Sequence, residues 1–312
     1  MKIAVLGAGA LGCAMGSCLS ESGHEVWLIN RRAEHVEAMN KHGLSVRVNG
    51  IERYTPVKAA LHAADIAAQI GTVDLMVVLV KSFHTREAIT SSTSIVGPDT
   101  VVLSLQNGLG HEDVLAEVVG RNKVLAGKTY AGGVMLGPGR IIRGTDGKET
   151  YIGELDGRMT DRVQRVAEVF NAAGLITHIS DNIMGTMWEK LLVNVATGAL
   201  SGITHLAYGD LYQVPEVKAC ALAAVQEAMD VAQASGIRLS VNDPEQPWIK
   251  AAAGLPPEFK ASMLQSLEKG SVTEVDYVNG SVVRWGQKCG VPTPVNSTLV
   301  ACLKGIERRF TT

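Results

Sequence analysis

The chain has 312 residues, of which 46% are hydrophobic and 19% are charged. This length corresponds to about two domains of ~100–200 residues each, and the apolar content excludes an intrinsically disordered chain. The 29 lysines and arginines nearly balance the 31 aspartates and glutamates. A nucleic-acid-binding protein would show a basic excess, so we predict no nucleic-acid partner.

Strand-like and helix-like segments alternate through residues 1–180, which predicts a mostly parallel sheet with helices on both faces. Asp74–Val80 is the most apolar run, so we expect it to be a buried central strand. Asn49-Gly50 predicts a hairpin between Leu44–Val48 and Tyr54–Ala59. The other predicted strands are Lys2–Leu6, His24–Asn30, Thr100–Leu105, Val124–Thr129, Glu149–Gly153 and Leu175–Ile179, with helices at Ala10–Ser22, Arg32–His42 and Arg158–Ala173.

The strand patterns stop after Ser180, and helical patterns follow to the end of the sequence. We therefore predict an α/β domain over residues 1–180 and an all-helical domain over residues 181–312. The predicted helices are Asp181–Gly202, Pro215–Ser235, Asp243–Ala253, Glu258–Glu268, Thr273–Cys289 and Thr293–Arg309.

The five cysteines include no C-x-x-C pair, and five is an odd number, so we predict neither a disulfide framework nor a metal site. No run reaches the ~18 apolar residues that a membrane span needs. The first residues have the pattern of a strand and lack the charged and apolar regions of a signal peptide. We therefore expect a cytoplasmic protein that does not bind membranes.

A glycine-rich turn connects the first predicted strand to the first predicted helix. Its six residues have the pattern G-x-G-x-x-G: Gly7, Ala8, Gly9, Ala10, Leu11 and Gly12. In such a turn the first glycine allows a tight bend, the second lets the backbone approach a pyrophosphate, and the third lets helix and strand pack closely. The sequence thus predicts a dinucleotide site, the alternative being a glycine-rich turn in an α/β protein that binds no nucleotide.

The residues after the second predicted strand bear on which dinucleotide binds. An acidic residue there would bind the ribose 2′-hydroxyl of NAD, but this sequence has Asn30-Arg31-Arg32. Guanidinium groups suit a 2′-phosphate, so we predict NADP, with Arg31 as its phosphate ligand. The alternative is that these arginines are simply solvated residues at a helix start.

Polar residues also follow two later strands. Lys81 comes directly after the apolar run ending at Val80, and Asn107 follows the strand that ends at Leu105. Ligands in open α/β sheets bind beyond the carboxyl ends of strands, so Lys81 is placed to meet an anionic ligand and Asn107 to meet the nicotinamide ribose. For Asn107-Gly108, a plain loop is an equal alternative.

The first helix of the second domain carries a polar stripe. Lys190 and Asn194 are four residues apart and share one helix face, whereas Trp188, Leu191 and Val195 belong to an apolar face. None of the 8 histidines follows residue 205, so a lysine is the better candidate for a proton donor in this domain. Lys190 fits that role best, although simple solvent exposure also explains such a stripe.

Ser271-Val272-Thr273-Glu274 precedes another predicted helix and has the S-x-x-E pattern of a capping box. A capping role is one interpretation of Glu274. The other is that Glu274 pairs with Lys190 and orients it.

Together these motifs resemble the 2-dehydropantoate 2-reductase (ketopantoate reductase) family. The matching segments run from residue 7 to about residue 280 and occur in the same order. They are GAGALG at 7–12, Arg31 after the second strand, LVKSF at 79–83, LQNGLG at 105–110, WEKLLVN at 188–194 and SMLQSLEKGSVTEVDYVNG at 262–280.

The resemblance implies a Rossmann-type domain and a helical domain like that of 6-phosphogluconate dehydrogenase, with the substrate between them. It implies NADPH-dependent reduction of 2-dehydropantoate to (R)-pantoate, a step of pantothenate synthesis. By position, Lys190 would be the general acid, with Glu274 binding the substrate hydroxyl or orienting Lys190. Asn194 and Ser262 would hold the substrate, and Asn107 and Lys81 would contact substrate and cofactor. Such a protein would be a monomer or a homodimer.

Three positions depart from the family pattern, in which some members carry asparagine: Gly198, Tyr208 and Phe259. These departures leave the 2-oxo acid open, so reduction of another 2-oxo acid to a D-2-hydroxy acid is the first alternative. A relative of the 6-phosphogluconate or 3-hydroxyacid dehydrogenases is the second. A nucleotide-binding regulator without catalysis is the third, and the presence together of Lys190, Asn194, Ser262 and Glu274 argues against it.

Overall fold

The computed structural model describes residues 1–310. The chain forms two compact units, the first made of Met1–Gln106 and His111–Ile183 and the second of Asn107–Gly110 and the residues from Met184 onward. The predicted fold class is confirmed: the first unit has a mostly parallel sheet with helices, and the second is helical.

An eight-stranded sheet forms the centre of the first unit, in the order β12-β11-β8-β7-β6-β1-β2-β5. All neighbouring strands are parallel except β8 and β11. The strands of the first unit are β1 (Lys2–Leu6), β2 (Glu25–Ile29), β3 (Leu44–Val48), β4 (Ile51–Thr55), β5 (Lys58–Ala60), β6 (Val73–Val78), β7 (Val96–Ser104), β8 (Val124–Thr129), β9 (Gly132–Gly137), β10 (Arg140–Gly144), β11 (Thr150–Gly153) and β12 (Thr177–Ile179).

Helices cover both faces of this sheet because successive strand residues point to opposite sides. In β1, Ile3 and Val5 pack into one apolar layer and Ala4 and Leu6 into the other. The first layer includes residues of α1, α2 and α6, and the second includes residues of α3, α4 and α5. These helices are α1 (Ala10–Glu21), α2 (Ala33–His42), α3 (Ala63–Ile70), α4 (Thr85–Thr90), α5 (His111–Val119) and α6 (Asp161–Ala172).

The predicted central strand is confirmed. Strand β6 lies between β1 and β7, and its residues 75–78 are fully buried. Its carboxyl end leads to Lys81, and that of β7 leads to Gln106. These two neighbouring strands therefore deliver their following loops to the same edge of the sheet.

A second sheet was not predicted. It has four strands in the order β4-β3-β10-β9. The hairpin at Asn49-Gly50 is present, but the predicted strand Tyr54–Ala59 is wrong: Pro56, which has no N–H to donate, separates β4 from β5, and β5 joins the main sheet. Strands β9 and β10 were not predicted either. Strand β9 lies at the edge of this sheet, and its consecutive apolar residues 134–136 are all exposed, so it lacks the alternation of apolar and polar residues that indicates a strand.

The helices of the second part of the chain are α7 (Ile183–Thr204), α8 (Tyr208–Leu211), α9 (Pro215–Ala234), α10 (Glu245–Ala252), α11 (Ser262–Glu268), α12 (Asn279–Cys289) and α13 (Pro294–Glu307). None of the helices within residues 1–310 is long and apolar enough to cross a membrane. The predicted helix Glu258–Glu268 begins later than expected, at Ser262, after a turn in which the Phe259 N–H bonds to the Pro256 carbonyl.

The predicted helix Thr273–Cys289 is not continuous. A 3-10 turn at Val275–Tyr277 precedes α12, and Val278 between them has non-helical dihedral angles. The capping-box interpretation of Ser271–Glu274 is therefore wrong, since no α-helix begins there. Instead, the N–H and the hydroxyl of Thr273 both donate to the buried Glu307 carboxylate at 2.6 Å.

Candidate functional site

The glycine-rich turn has the steric features that a phosphate-binding turn needs. Gly7 has φ of +105°, and a Cβ there would lie 2.5 Å from the Val80 amide nitrogen. A Cβ on Gly12 would lie 2.3 Å from the Gly7 carbonyl oxygen. Because no side chain fits at either position, both glycines are required by the fold of the turn itself.

Gly9 differs from these two glycines, because a Cβ there would meet nothing within 4 Å among the described residues. Gly9 is also the N-cap of α1, whose first hydrogen bond runs from the Cys13 N–H to the Gly9 carbonyl at 2.9 Å. The amides of residues 10–12 thus have no partner within the helix and point along its N-terminal end. This open space beside free amides and a positive helix end suits a pyrophosphate.

The carbonyl of Ala8 holds the turn in place. It accepts hydrogen bonds from Asn30 Nδ2 at 2.7 Å and from His35 Nε2 at 3.1 Å. His35 is buried, and its Nδ1 accepts from the Gly139 N–H at 2.8 Å, so Nε2 carries the proton of a neutral ring. Burial lowers the pKa of His35, which agrees with this neutral form. Asn30, at the position that distinguishes cofactors, is therefore a structural support of the turn.

Arg31 lies at the carboxyl end of β2 with its side chain 68% exposed. Its Nη2 donates to His84 Nε2 at 2.9 Å, and its Nη1 lies 3.9 Å from the Glu87 carboxylate. The neighbouring Arg32 forms an ion pair with Glu34 instead. The predicted phosphate ligand Arg31 therefore contacts a neutral ring and a distant carboxylate, whereas its neighbour Arg32 is bound directly to an acid.

Lys81 is exposed and immediately precedes the 3-10 turn Ser82–His84. The loop that carries it is fixed by Gln106, whose Nε2 donates to the Val80 carbonyl at 2.9 Å and to the Thr85 hydroxyl at 2.8 Å. The loop after β7 thus supports the loop after β6, as expected for neighbouring strand ends.

In the second unit, Lys190 and Asn107 form a direct contact. Lys190 Nζ donates to Asn107 Oδ1 at 2.8 Å. The turn that carries Asn107 packs closely against Tyr277. The Leu109 N–H donates to the Tyr277 carbonyl oxygen at 3.0 Å, and a Cβ on Gly108 would lie 2.2 Å from that same oxygen. Gly108, with φ of +89°, is therefore required for this close approach, and a plain loop of residues that tolerate positive φ stays an alternative interpretation.

The other predicted residues of this unit have varied environments. Asn194 is half-buried one turn after Lys190 on α7, and Ser262 is exposed at the first position of α11. Glu274 is half-buried at the start of the 3-10 turn Val275–Tyr277, and its pairing with Lys190 stays a prediction. The apolar face of α7 is as expected, with Trp188, Leu191 and Val195 buried.

Gly198, Tyr208 and Phe259, the three positions that leave the predicted substrate open, have different surroundings. The Tyr208 hydroxyl is 2.9 Å from the hydroxyl of Thr197, its ring packs edge-on against Phe259, and burial raises its pKa. A Cβ on Gly198 would lie 3.3 Å from Cε and 3.4 Å from Sδ of the buried Met263. A larger residue at position 198 would therefore require Met263 to move.

Three residues next to the predicted cofactor ligands, His35, His84 and Glu87, were not predicted from the sequence. His84 and Glu87 follow Lys81 in the segment after β6. The rule that ligands bind beyond the carboxyl ends of strands, which selected Lys81, therefore applies to these two residues as well. His35 has no such signal, because its two hydrogen bonds join backbone atoms of Ala8 and Gly139 that are far apart in the chain.

Comparison with known proteins identifies relatives that match nearly the full length of the chain. The family model described as ketopantoate reductase PanE/ApbA matches residues 3–157, and the model of its C-terminal part matches residues 182–307. The 2-dehydropantoate 2-reductase of Pyrococcus horikoshii is 34% identical over 307 residues, 98% of each chain. That of Halobacterium salinarum is 32% identical over 309 residues, 99% of each chain.

Two solved structures are similar over 100% of both chains. The PanE/ApbA family ketopantoate reductase of Ralstonia eutropha is 34% identical with a TM-score of 0.90. D-mandelate dehydrogenase, in its ternary structure with NADH and anilino(oxo)acetate, is 30% identical with a TM-score of 0.90.

The parallel sheet and its glycine-rich turn, taken with these matches, define a pyridine-nucleotide oxidoreductase that acts on CH–OH groups. Both parts of the family model match in order, and curated relatives exceed 30% identity over nearly the full chain. The chain belongs to the ketopantoate reductase family.

Proposed function

We propose that this protein reduces 2-dehydropantoate to (R)-pantoate with NADPH, in pantothenate and coenzyme A biosynthesis. The observation that carries the proposal is the Lys190–Asn107 hydrogen bond, which presents an ammonium group held in place by an amide. Relatives named 2-dehydropantoate 2-reductase over 98% of the chain support the choice of substrate.

Lys190 acts as the general acid of this reaction. NADPH, when bound, supplies the hydride to the 2-oxo carbon. The ketone oxygen gains negative charge as the C–H bond forms, and the Lys190 ammonium stabilises that charge and transfers a proton to it. Asn107 orients the ammonium, because its side-chain oxygen accepts one of the three ammonium protons. Hydride and proton together convert the ketone to the secondary alcohol.

The remaining predicted residues have binding roles in this proposal. Asn194 and Ser262 hold the substrate, and Glu274 binds the substrate hydroxyl or orients Lys190. The turn at residues 7–12 binds the pyrophosphate, supported by the open space at Gly9 and the free amides of α1. Lys81 and Asn107 contact the cofactor, and Arg31 binds its 2′-phosphate.

The proposed substrate is tested by steady-state assays with NADPH across a panel of 2-oxo acids. We expect the highest kcat/KM with 2-dehydropantoate. The panel includes 3-methyl-2-oxobutanoate, which lacks the substrate hydroxyl, and phenylglyoxylate, the oxo acid that corresponds to mandelate. A clearly higher kcat/KM with either compound would contradict the proposed substrate.

The proposed NADP preference predicts the effect of Arg31→Ala. Loss of the guanidinium removes a charge-assisted contact that only the phosphorylated cofactor makes, so KM for NADPH should rise about tenfold or more while KM for NADH changes little. The matched control is Arg32→Ala, because Arg32 is already paired with Glu34. Equal increases for both cofactors would contradict a phosphate-specific role of Arg31.

A second candidate function is reduction of a different 2-oxo acid to a D-2-hydroxy acid. Two observations favour it: the likeness to D-mandelate dehydrogenase, and the position of the buried Met263, whose Cε would lie 3.3 Å from a Cβ on Gly198, one turn beyond Asn194. The same substrate panel separates it from the first proposal, since it predicts that another 2-oxo acid, such as phenylglyoxylate, is preferred to 2-dehydropantoate.

A further inference from the structure

The Arg31 side chain does not stand alone at the end of β2. Its Nη2 lies 2.9 Å from His84 Nε2, and its Nη1 lies 3.9 Å from Glu87 Oε2. His84 Nδ1 lies 3.6 Å from the same Glu87 oxygen. We name these three residues the Arg31 cluster.

The hydrogen bond fixes the protonation of the imidazole. A guanidinium only donates, so His84 Nε2 accepts, and in this neutral ring the proton is on Nδ1, facing Glu87. Burial and the charge of Arg31 lower the pKa of His84. The charged groups that face the ring within residues 1–310 are Arg31 and Glu87, while Arg86, next to Glu87 on α4, pairs with Glu117 of α5.

The cluster is easily rearranged. The side chains of Arg31 and Glu87 are 68% and 72% exposed, and an ion pair so exposed and 3.9 Å apart contributes little free energy. An anion that approaches Arg31 therefore competes with a weak carboxylate contact. The same anion would lie within reach of the imidazole, because Nε2 and the guanidinium are in direct contact.

We propose that His84 is a second ligand of the cofactor's 2′-phosphate and that Glu87 opposes phosphate binding. This inference rests on the proposed preference for NADP. With phosphate present, His84 gains a proton and donates through Nε2 beside Arg31, so two cationic donors meet one dianion. Glu87, a like charge, reduces the affinity for the phosphate but not for a nucleotide without it.

The proposal predicts the direction in which nucleotide affinity changes with pH. A neutral His84 that becomes protonated on binding takes up a proton, so the affinity for the phosphorylated nucleotide relative to the unphosphorylated one increases as pH falls. The phosphate itself has a second pKa of about 6, and its protonation acts in the opposite direction. In a His84→Gln variant the phosphate still titrates but the histidine is absent. The difference in the pH dependence of 2′,5′-ADP affinity between the variant and the wild type is therefore the contribution of His84.

The experiment is isothermal titration calorimetry of the full chain with 2′,5′-ADP and 5′-AMP between pH 6 and 8. We expect His84→Gln to weaken 2′,5′-ADP about tenfold near pH 6.5 and to leave 5′-AMP unchanged. We expect Glu87→Gln to strengthen 2′,5′-ADP about threefold, with 5′-AMP again unchanged. Glu117→Gln is the matched control, since it removes an exposed carboxylate that pairs with Arg86 and lies outside the Arg31 cluster.

The outcomes separate the two proposals. A wild-type protein that binds both nucleotides equally would contradict the NADP preference itself. A wild-type preference for 2′,5′-ADP that is unchanged in His84→Gln, at every pH, would overturn the role of His84 alone. Equal weakening of both nucleotides in His84→Gln, with a lowered melting temperature, would show a structural role and would likewise overturn it.

Discussion

Replacing Lys190 by alanine should lower kcat by about 10²–10⁴-fold while the affinity for the nicotinamide cofactor persists. The variant removes the proposed proton donor and, with it, the positive charge that the proposal assigns to stabilising the developing oxyanion. It removes no group of the glycine-rich turn at residues 7–12, which lies in the other unit of the chain. Steady-state kinetics and NADPH titration by fluorescence measure the two effects separately.

Three further variants identify what Lys190 contributes. Lys190→Arg keeps a cation that does not release its proton at neutral pH, so a low kcat in this variant indicates proton transfer and a recovered kcat indicates charge stabilisation only. Asn107→Ala removes the 2.8 Å contact and should lower kcat less than Lys190→Ala does. Lys218→Ala is the matched control, because Lys218 pairs with Glu245 on the surface. An unchanged kcat in Lys190→Ala would exclude this residue as the acid.

Substitution of two glycines in the glycine-rich turn at residues 7–12 should affect different properties: nucleotide affinity at Gly9 and folding stability at Gly12. A methyl group at Gly9 meets no described atom within 4 Å, and Gly9 has φ of −76°, so Gly9→Ala should fold normally. The methyl group would occupy the space that a pyrophosphate needs, and we expect nucleotide affinity to fall at least about tenfold, or about 1.4 kcal/mol. Calorimetric titration with NADP⁺ measures the loss.

Gly12→Ala is the comparison variant. Its methyl group would lie 2.3 Å from the Gly7 carbonyl oxygen, so the turn or α1 must shift. We expect the free energy of unfolding to decrease by about 1–3 kcal/mol, as for other overpacked sites. Urea unfolding of both variants gives the contrast: a destabilised Gly9→Ala, or a Gly12→Ala with wild-type stability, would contradict the assigned roles.

Several features followed from local sequence patterns, because the physical causes are themselves local. The apolar run that became β6 identified the central strand, and the spacing of Gly7, Gly9 and Gly12 predicted the turn between β1 and α1. The helical spacing of Lys190 and Asn194 placed both on α7. In each case the pattern reflects neighbours within about one helical turn or one strand.

The errors came from segments whose conformation depends on distant partners. The strand predicted at Tyr54–Ala59 divides because β4 pairs with β3 and β5 pairs with β2. The segment before α12 does not continue the predicted helix, and in it Thr273 donates to the Glu307 carboxylate, 34 residues away in the chain. The edge strand β9 lacks the buried alternation that a strand prediction needs.

The sequence by itself determined the fold class, the position of the glycine-rich turn between β1 and α1, and the candidate residues of the site. The tertiary structure decided which of those residues meet: Lys190 with Asn107, 83 positions apart, and Arg31 with His84, 53 positions apart. It also showed that Asn30 and His35 support the Ala8 carbonyl. Helix and turn patterns are set by neighbours in the chain, whereas contacts between side chains from different loops exist only once the strands and helices that carry them have packed.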